Sequence, residues 1–308
     1  TGGENIGSGG KSLYNNLTGN ANAAYGFLSL EANTTGDNNT GMGVASLRNN
    51  TTANDNVAVG YQSLNLNTTG AGNTAIGKDS LKVSTTASYN TSVGYVSLLA
   101  NTTGYGNTAV GSYVLGNNTT GSSNVAIGGY DGSTYSAMRY NTTGTKNIAI
   151  GTGALQNNSS ASYNSAVGFE ALKANTTGVR NVAVGWESLD ANTTGGDNSA
   201  FGANSLSANS TGQYNTGLGK GALQVNTDAH ENTAVGTFSM RNNTQGTRNV
   251  AVGHESLFTN VTGNYNTAIG RSALYSNTVS DNTAIGYQAL KNNTTGSTNV
   301  AMGHEALL

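Results

Sequence analysis

The side chains best suited to move protons or hold a metal near neutral pH are the three histidines, His230, His254 and His304. His254 and His304 are each followed by a glutamate, Glu255 and Glu305, and a His–Glu pair at a turn could ligate a metal. The two pairs lie three repeat units apart, roughly 15 Å at strand spacing. Catalysis needs titratable groups that converge in a pocket, and these do not. The expectation is therefore a chain that is not an enzyme and uses no metal and no cofactor. The other chemistry on offer is adhesive. A stretch reading Gly129-Tyr-Asp-Gly-Ser-Thr-Tyr-Ser136 interrupts the repeat and carries Tyr130, Asp131 and Tyr135, with Arg139 and Tyr140 just beyond. Tyrosines beside a carboxylate suit a glycan, with Asp131 accepting hydroxyl bonds. Trp186 and a line of aromatics including Phe27, Tyr61, Tyr95 and Tyr113 could offer sugars a stacking surface. A second line runs through Tyr89, Tyr105, Tyr163, Tyr214 and Tyr265. The bland alternative is that these rings cover turns and pack on one another.

What must position these residues is a tandem repeat of 17 residues. Its consensus is Asn-Thr/Val-Ala-Val/Ile-Gly-x-x-Ala/Ser-Leu-x-x-Asn-Thr-Thr-Gly-x-x, and it recurs in 18 units. Asn at position 1 (Asn56, Asn73, Asn107) and Gly at position 5 (Gly60, Gly77, Gly111) frame every unit. Two units break register. Six extra residues fall at positions 6 and 7 within 129–136, and Ala137 and Met138 restore positions 8 and 9. One residue is missing after Asn277, near 278–281. The whole of 1–308 reads as a single repeat domain.

A unit this short suits one coil of a solenoid, so the predicted fold is all-β, a β-solenoid (β-roll) of 18 coils. Positions 2 to 4 predict a short strand, with position 3 facing opposite to positions 2 and 4. Ala-Leu at positions 8 and 9 predicts a second strand. Asn-Thr-Thr-Gly predicts a turn, since Asn and Gly tolerate positive φ. Equivalent Asn side chains would stack into amide ladders. The core expected per coil is one Leu, one Val/Ile and small residues, which is thin for a lone chain and points to an oligomer.

The string Asn-Thr-Ala-Ile-Gly-x-x-Ala-Leu resembles the head repeats of YadA-like trimeric autotransporter adhesins. It also resembles the repeat shafts of phage-type tail-fibre proteins, and the resemblance covers essentially the whole chain. It implies a left-handed β-roll, three chains side by side, extracellular on a cell or virion surface, attached to a host glycan or protein. The adhesin head repeat is usually shorter than this one. An alternative is the subunit of a self-assembling extracellular filament, since the last unit, from Asn299, stops in mid-coil on Leu307 and Leu308. A third reading is an ice-binding solenoid with ranked Thr at positions 13 and 14; adjacent residues point to opposite faces if extended.

Composition narrows the field further. A net charge of -2 gives no reason to expect nucleic acid as a partner. No apolar run is long enough to insert in a membrane. There are no cysteines, hence no disulfides, which suits an exposed extracellular fibre. Many Asn-Thr-Thr segments match the N-glycosylation pattern.

Overall fold

A computed structural model describes residues 2–129 and 135–308. Each coil contributes one three-residue strand, and the strands are parallel. The chain divides into two compact units. Thr1–Ala161 holds β1 (Ile6–Ser8) through β9 (Ile148–Ile150), and Ser162–Leu308 holds β10 (Ser165–Val167) through β18 (Val300–Met302). Within each unit consecutive strands pair in chain order, 17 residues on in the regular coils. Val57, Ala58 and Val59 of β4 face Thr74, Ala75 and Ile76 of β5. Val182, Ala183 and Val184 of β11 likewise face Ser199, Ala200 and Phe201 of β12. The fold is an all-β solenoid.

The alternation along the strand decides what is inside. Ala58, Ala75 and Ala109 at position 3 are fully buried, as are Leu64, Leu81 and Leu115 at position 9. The Val/Ile of position 4 is not part of this core. Ile76, Ile150 and Leu218 are 40%, 39% and 47% exposed. Because position 3 must point inward to let the coil close, its two neighbours on a pleated strand must point outward. The interior per coil is thus Ala, Leu, a small residue at position 8 and two asparagines.

The expected second strand is absent from the described coils. Positions 6 to 11 form turns instead, and left-handed φ recurs at positions 7, 9 and 17, mostly on non-glycine residues, with Gly72, Gly106, Gly153 and Gly221 among the exceptions. In one coil the three are Gln62 at +53°, Leu64 at +49° and, just before the strand, Asp55 at +60°. A left-handed L-residue costs roughly 1–2 kcal/mol. Burying a leucine side chain returns about 1.5–3 kcal/mol, and the turn backbone is bonded from coil to coil: Leu64 N–H donates to Ser80 O at 2.9 Å and Leu66 N–H to Lys82 O at 3.0 Å. The left-handed residues sit at positions 7, 9 and 17, not in the Asn-Thr-Thr-Gly segment where a turn was predicted. Gly60 at position 5 has φ +133°, and a Cβ there would lie 2.6 Å from Gly77 O. Coil spacing and φ both demand glycine.

The two irregular units are absorbed at corners. Ala137 N–H donates to Gly128 O at 3.0 Å, and Met138 takes up the buried position-9 site with φ +49°. The deletion removes position 14. Val279 fills the position-15 role, its carbonyl accepting from Asn266 Nδ2 at 2.9 Å and Asn277 Nδ2 at 2.7 Å.

Candidate functional site

Inside the coil the polar chemistry is structural. Asn73 N–H and Asn73 Nδ2 both donate to Asn56 Oδ1, at 2.9 and 3.1 Å, and Nδ2 also reaches Ala87 O at 2.8 Å. Asn107 repeats this on Asn90. A second column stands at position 12: Asn118 Nδ2 donates to Asn101 Oδ1 at 2.8 Å and to Gly121 O at 2.9 Å. Gly121 O also accepts from Asn107 Nδ2, so both columns clamp the same carbonyl. Asn50, Asn67 and Asn101 of the Asn-Thr-Thr segments are fully buried. Their amide nitrogens are in hydrogen bonds, so the folded chain offers them to no glycosyl transfer. The position-13 threonine hydroxyls are engaged as well: Thr34 Oγ1 donates to Thr51 O at 2.9 Å and Thr51 Oγ1 to Thr68 O at 3.0 Å. Of the two Thr ranks, the position-14 rank is the exposed one.

The edges carry the remaining candidates. In the first unit Lys78 Nζ lies 5.9 Å from the Tyr61 ring centre and 5.7 Å from that of Tyr95. Tyr95 meets Tyr113 edge to face at 5.3 Å, and its hydrogen bond raises the Tyr113 phenol above its ordinary pKa. Arg139 stands over Tyr113 at 5.0 Å and Tyr140 at 5.6 Å. Arg139 and Tyr140 are thus tied to the turn aromatics. Tyr135 is half-buried. Tyr130 and Asp131 lie outside the described residues. Trp186 is exposed on the second unit's position-6 edge.

The histidines stay apart. His254 Nδ1 lies 3.5 Å from Glu255 and His304 Nδ1 3.9 Å from Glu305, while His304 stacks on Tyr287 at 5.0 Å. Among the described residues no three His, Asp or Glu side chains gather as a metal ion would require, and no helix is long and apolar enough to cross a membrane. One carboxyl is displaced: burial, and then the neighbouring Glu187, push Asp190 up to about 6.

Position 17 of the second unit holds an arrangement that the tyrosine spacing alone did not reveal. Arg180 grips Asp197 with two bonds, Nε to Oδ1 at 2.6 Å and Nη2 to Oδ2 at 2.8 Å. Arg248 Nε donates to Glu231 Oε2 at 2.8 Å and Nη1 to Tyr265 Oη at 2.6 Å. These bonds hold the Asp197 and Glu231 carboxyls below their ordinary pKa. Reading every seventeenth residue from Tyr163 gives Tyr-Arg-Asp-Tyr-Glu-Arg-Tyr, a signal that lists of aromatics miss.

No protein-family model matches the chain, and no curated protein is significantly similar to it.

Proposed function

We propose that this chain is a non-catalytic scaffold that associates with copies of itself through the outward strand face and presents its edges for surface attachment. The observation that carries the reading is the position-4 column. From Tyr25 to Ile150 in the first unit, and from Val167 to Met302 in the second, each of these outward side chains is apolar or aromatic. Soluble monomers seldom expose apolar faces that continue from strand to strand, and such faces mark interaction surfaces. The thin interior of Ala and Leu argues the same way, because the aliphatic bulk lies outside the coil. The resemblance to YadA-like heads supports three copies and an extracellular or virion-surface setting, with a host glycan or protein as the attachment partner.

The test is mass in solution by sedimentation equilibrium, with Ile76→Lys and Ile150→Lys as the paired variant. Both side chains are exposed in the single chain, so lysine costs little unless a partner covers them. The expected result is a trimer that the variant converts to monomer. A wild-type monomer overturns the reading, and a mass that grows without limit replaces it with an end-to-end filament.

A further inference from the structure

We infer that the position-17 edge of Ser162–Leu308 is a binding site for a neutral, unbranched polysaccharide lying along the coil stack. The inference deepens the attachment reading above and rests on it. Tyr163, Tyr214 and Tyr265 are 55%, 58% and 52% exposed. All three have left-handed φ, at 64°, 59° and 57°, so each leaves the backbone in the same sense. They recur every third coil, about 14 Å at ~4.8 Å per coil, a length spanned by about three pyranose rings end to end. A ligand with its own repeat can meet each ring equivalently. A tyrosine ring offers a flat apolar face to the C–H side of a sugar and a hydroxyl at its rim.

Between the tyrosines lie planar polar groups in opposed pairs, Arg180 with Asp197 and Glu231 with Arg248. Guanidinium and carboxylate supply donors and acceptors to vicinal hydroxyls. Each positive charge is already compensated, so an anionic polymer gains no net attraction. That is the reason to choose a neutral one. The edge is also concave at one place. A depression of about 220 Å³ is lined by Gln213, Tyr214, His230, Glu231, Thr247 and Arg248. There His230 Nδ1 accepts the Gln213 N–H at 3.0 Å, which leaves Nε2 as the ring's other nitrogen for a ligand. The first unit has no such alternation. Tyr89, at the same repeat position, is flanked one coil away by Gly72 and Gly106.

The test is affinity electrophoresis of the intact chain through gels containing xylan, mixed-linkage β-glucan or, as the anionic control, polygalacturonate. Retardation is expected in at least one neutral gel and not in polygalacturonate. Tyr214→Ala should weaken apparent affinity by about tenfold, the size of a lost aromatic anchor. The Tyr163→Ala/Tyr214→Ala/Tyr265→Ala variant should abolish retardation, and Tyr89→Ala should behave as wild type. Circular dichroism and sedimentation on each variant check that fold and mass are retained. No retardation in either neutral gel, retardation by polygalacturonate alone, or a Tyr214→Ala chain that binds as wild type overturns the site. A tyrosine variant that dissociates an oligomer also overturns it, by assigning the edge to contacts between copies. The two readings fail separately. An oligomer that neutral gels do not retard sinks only the polysaccharide site, whereas a monomer retarded through its tyrosines sinks only self-association.

Discussion

The two asparagine columns are built from the same residue and meet at the same carbonyl, yet they tolerate change differently. The position-1 column is asparagine in all 18 units. The position-12 column accepts Ser84, and beside the deletion its bonding is broken. The difference is one backbone group. At position 1 the Oδ1 accepts the main-chain N–H of the next coil and, in most coils, its Nδ2 as well, as Asn107 Oδ1 does from Asn124 N–H at 3.0 Å and Asn124 Nδ2 at 3.1 Å. At position 12 the coil-to-coil bond joins side chains only. A buried main-chain donor has no rotamer through which to find another partner. Where the position-12 column is cut, single acceptors are stranded: Asn67 Oδ1 opposite Ser84, and Asn260 Oδ1 before the shortened coil. There Asn277 turns to serve Val279 O, and its own Oδ1 accepts from Asn282 and Asn293.

The largest effect should separate the columns directly. Asn107→Ala strands the Asn124 main-chain N–H in the interior and removes one clamp on Gly121 O, for a loss of about 3 kcal/mol. Asn118→Ala strands no backbone group and should cost about 1–2 kcal/mol. Urea unfolding of both, with amide exchange at Asn124 as a local readout, checks the order; equal losses would break the comparison. Ser84→Asn should act in the opposite sense. It gives Asn67 Oδ1 a donor and Asn101 Nδ2 an acceptor, for a gain of about 1 kcal/mol, read as a higher urea midpoint.

The smallest effect concerns a buried polar group off the columns. Asp190 Oδ1 has no hydrogen-bond partner, and its carboxyl titrates at about 6 instead of 3.8. A carboxyl harder to ionise folded than unfolded makes the folded state bind the proton more tightly. Stability from this group therefore rises as pH falls from about 6 toward 3.8. Partial exposure keeps the change modest. Asp190→Asn should raise the melting temperature at pH 8 and flatten its dependence between pH 8 and pH 4, measured by thermal scans.

Much of this architecture was legible because each repeat position carries a physical reason that recurs. Asn at position 1, Gly at position 5 and Leu at position 9 announce a stacked coil, and the places where the spacing departs from 17 locate both irregular units. The period-2 rule gave the opposed facing of Ala58 against Val57 and Val59. It does not say which face is the interior, and the position-4 aliphatics expected in the core lie outside it. Ala-Leu fits a strand pattern, yet no second strand forms, because Leu64 sits at φ +49°. Coil-to-coil hydrogen bonding and burial favour that conformation for Leu64. The edge pairs Arg180–Asp197 and Glu231–Arg248 were hidden for a related reason: partners 17 residues apart become neighbours only when coils stack.

By itself the sequence determined the repeat, its register and the identity of the ladder residues, since those follow from local chemistry repeated at a fixed interval. The tertiary structure decided which side of the strand faces in, which residues take left-handed φ, and which charges meet across coils. Those depend on closing the coil around a space that accommodates Ala, Leu and two asparagines and leaves the bulkier Val and Ile outside.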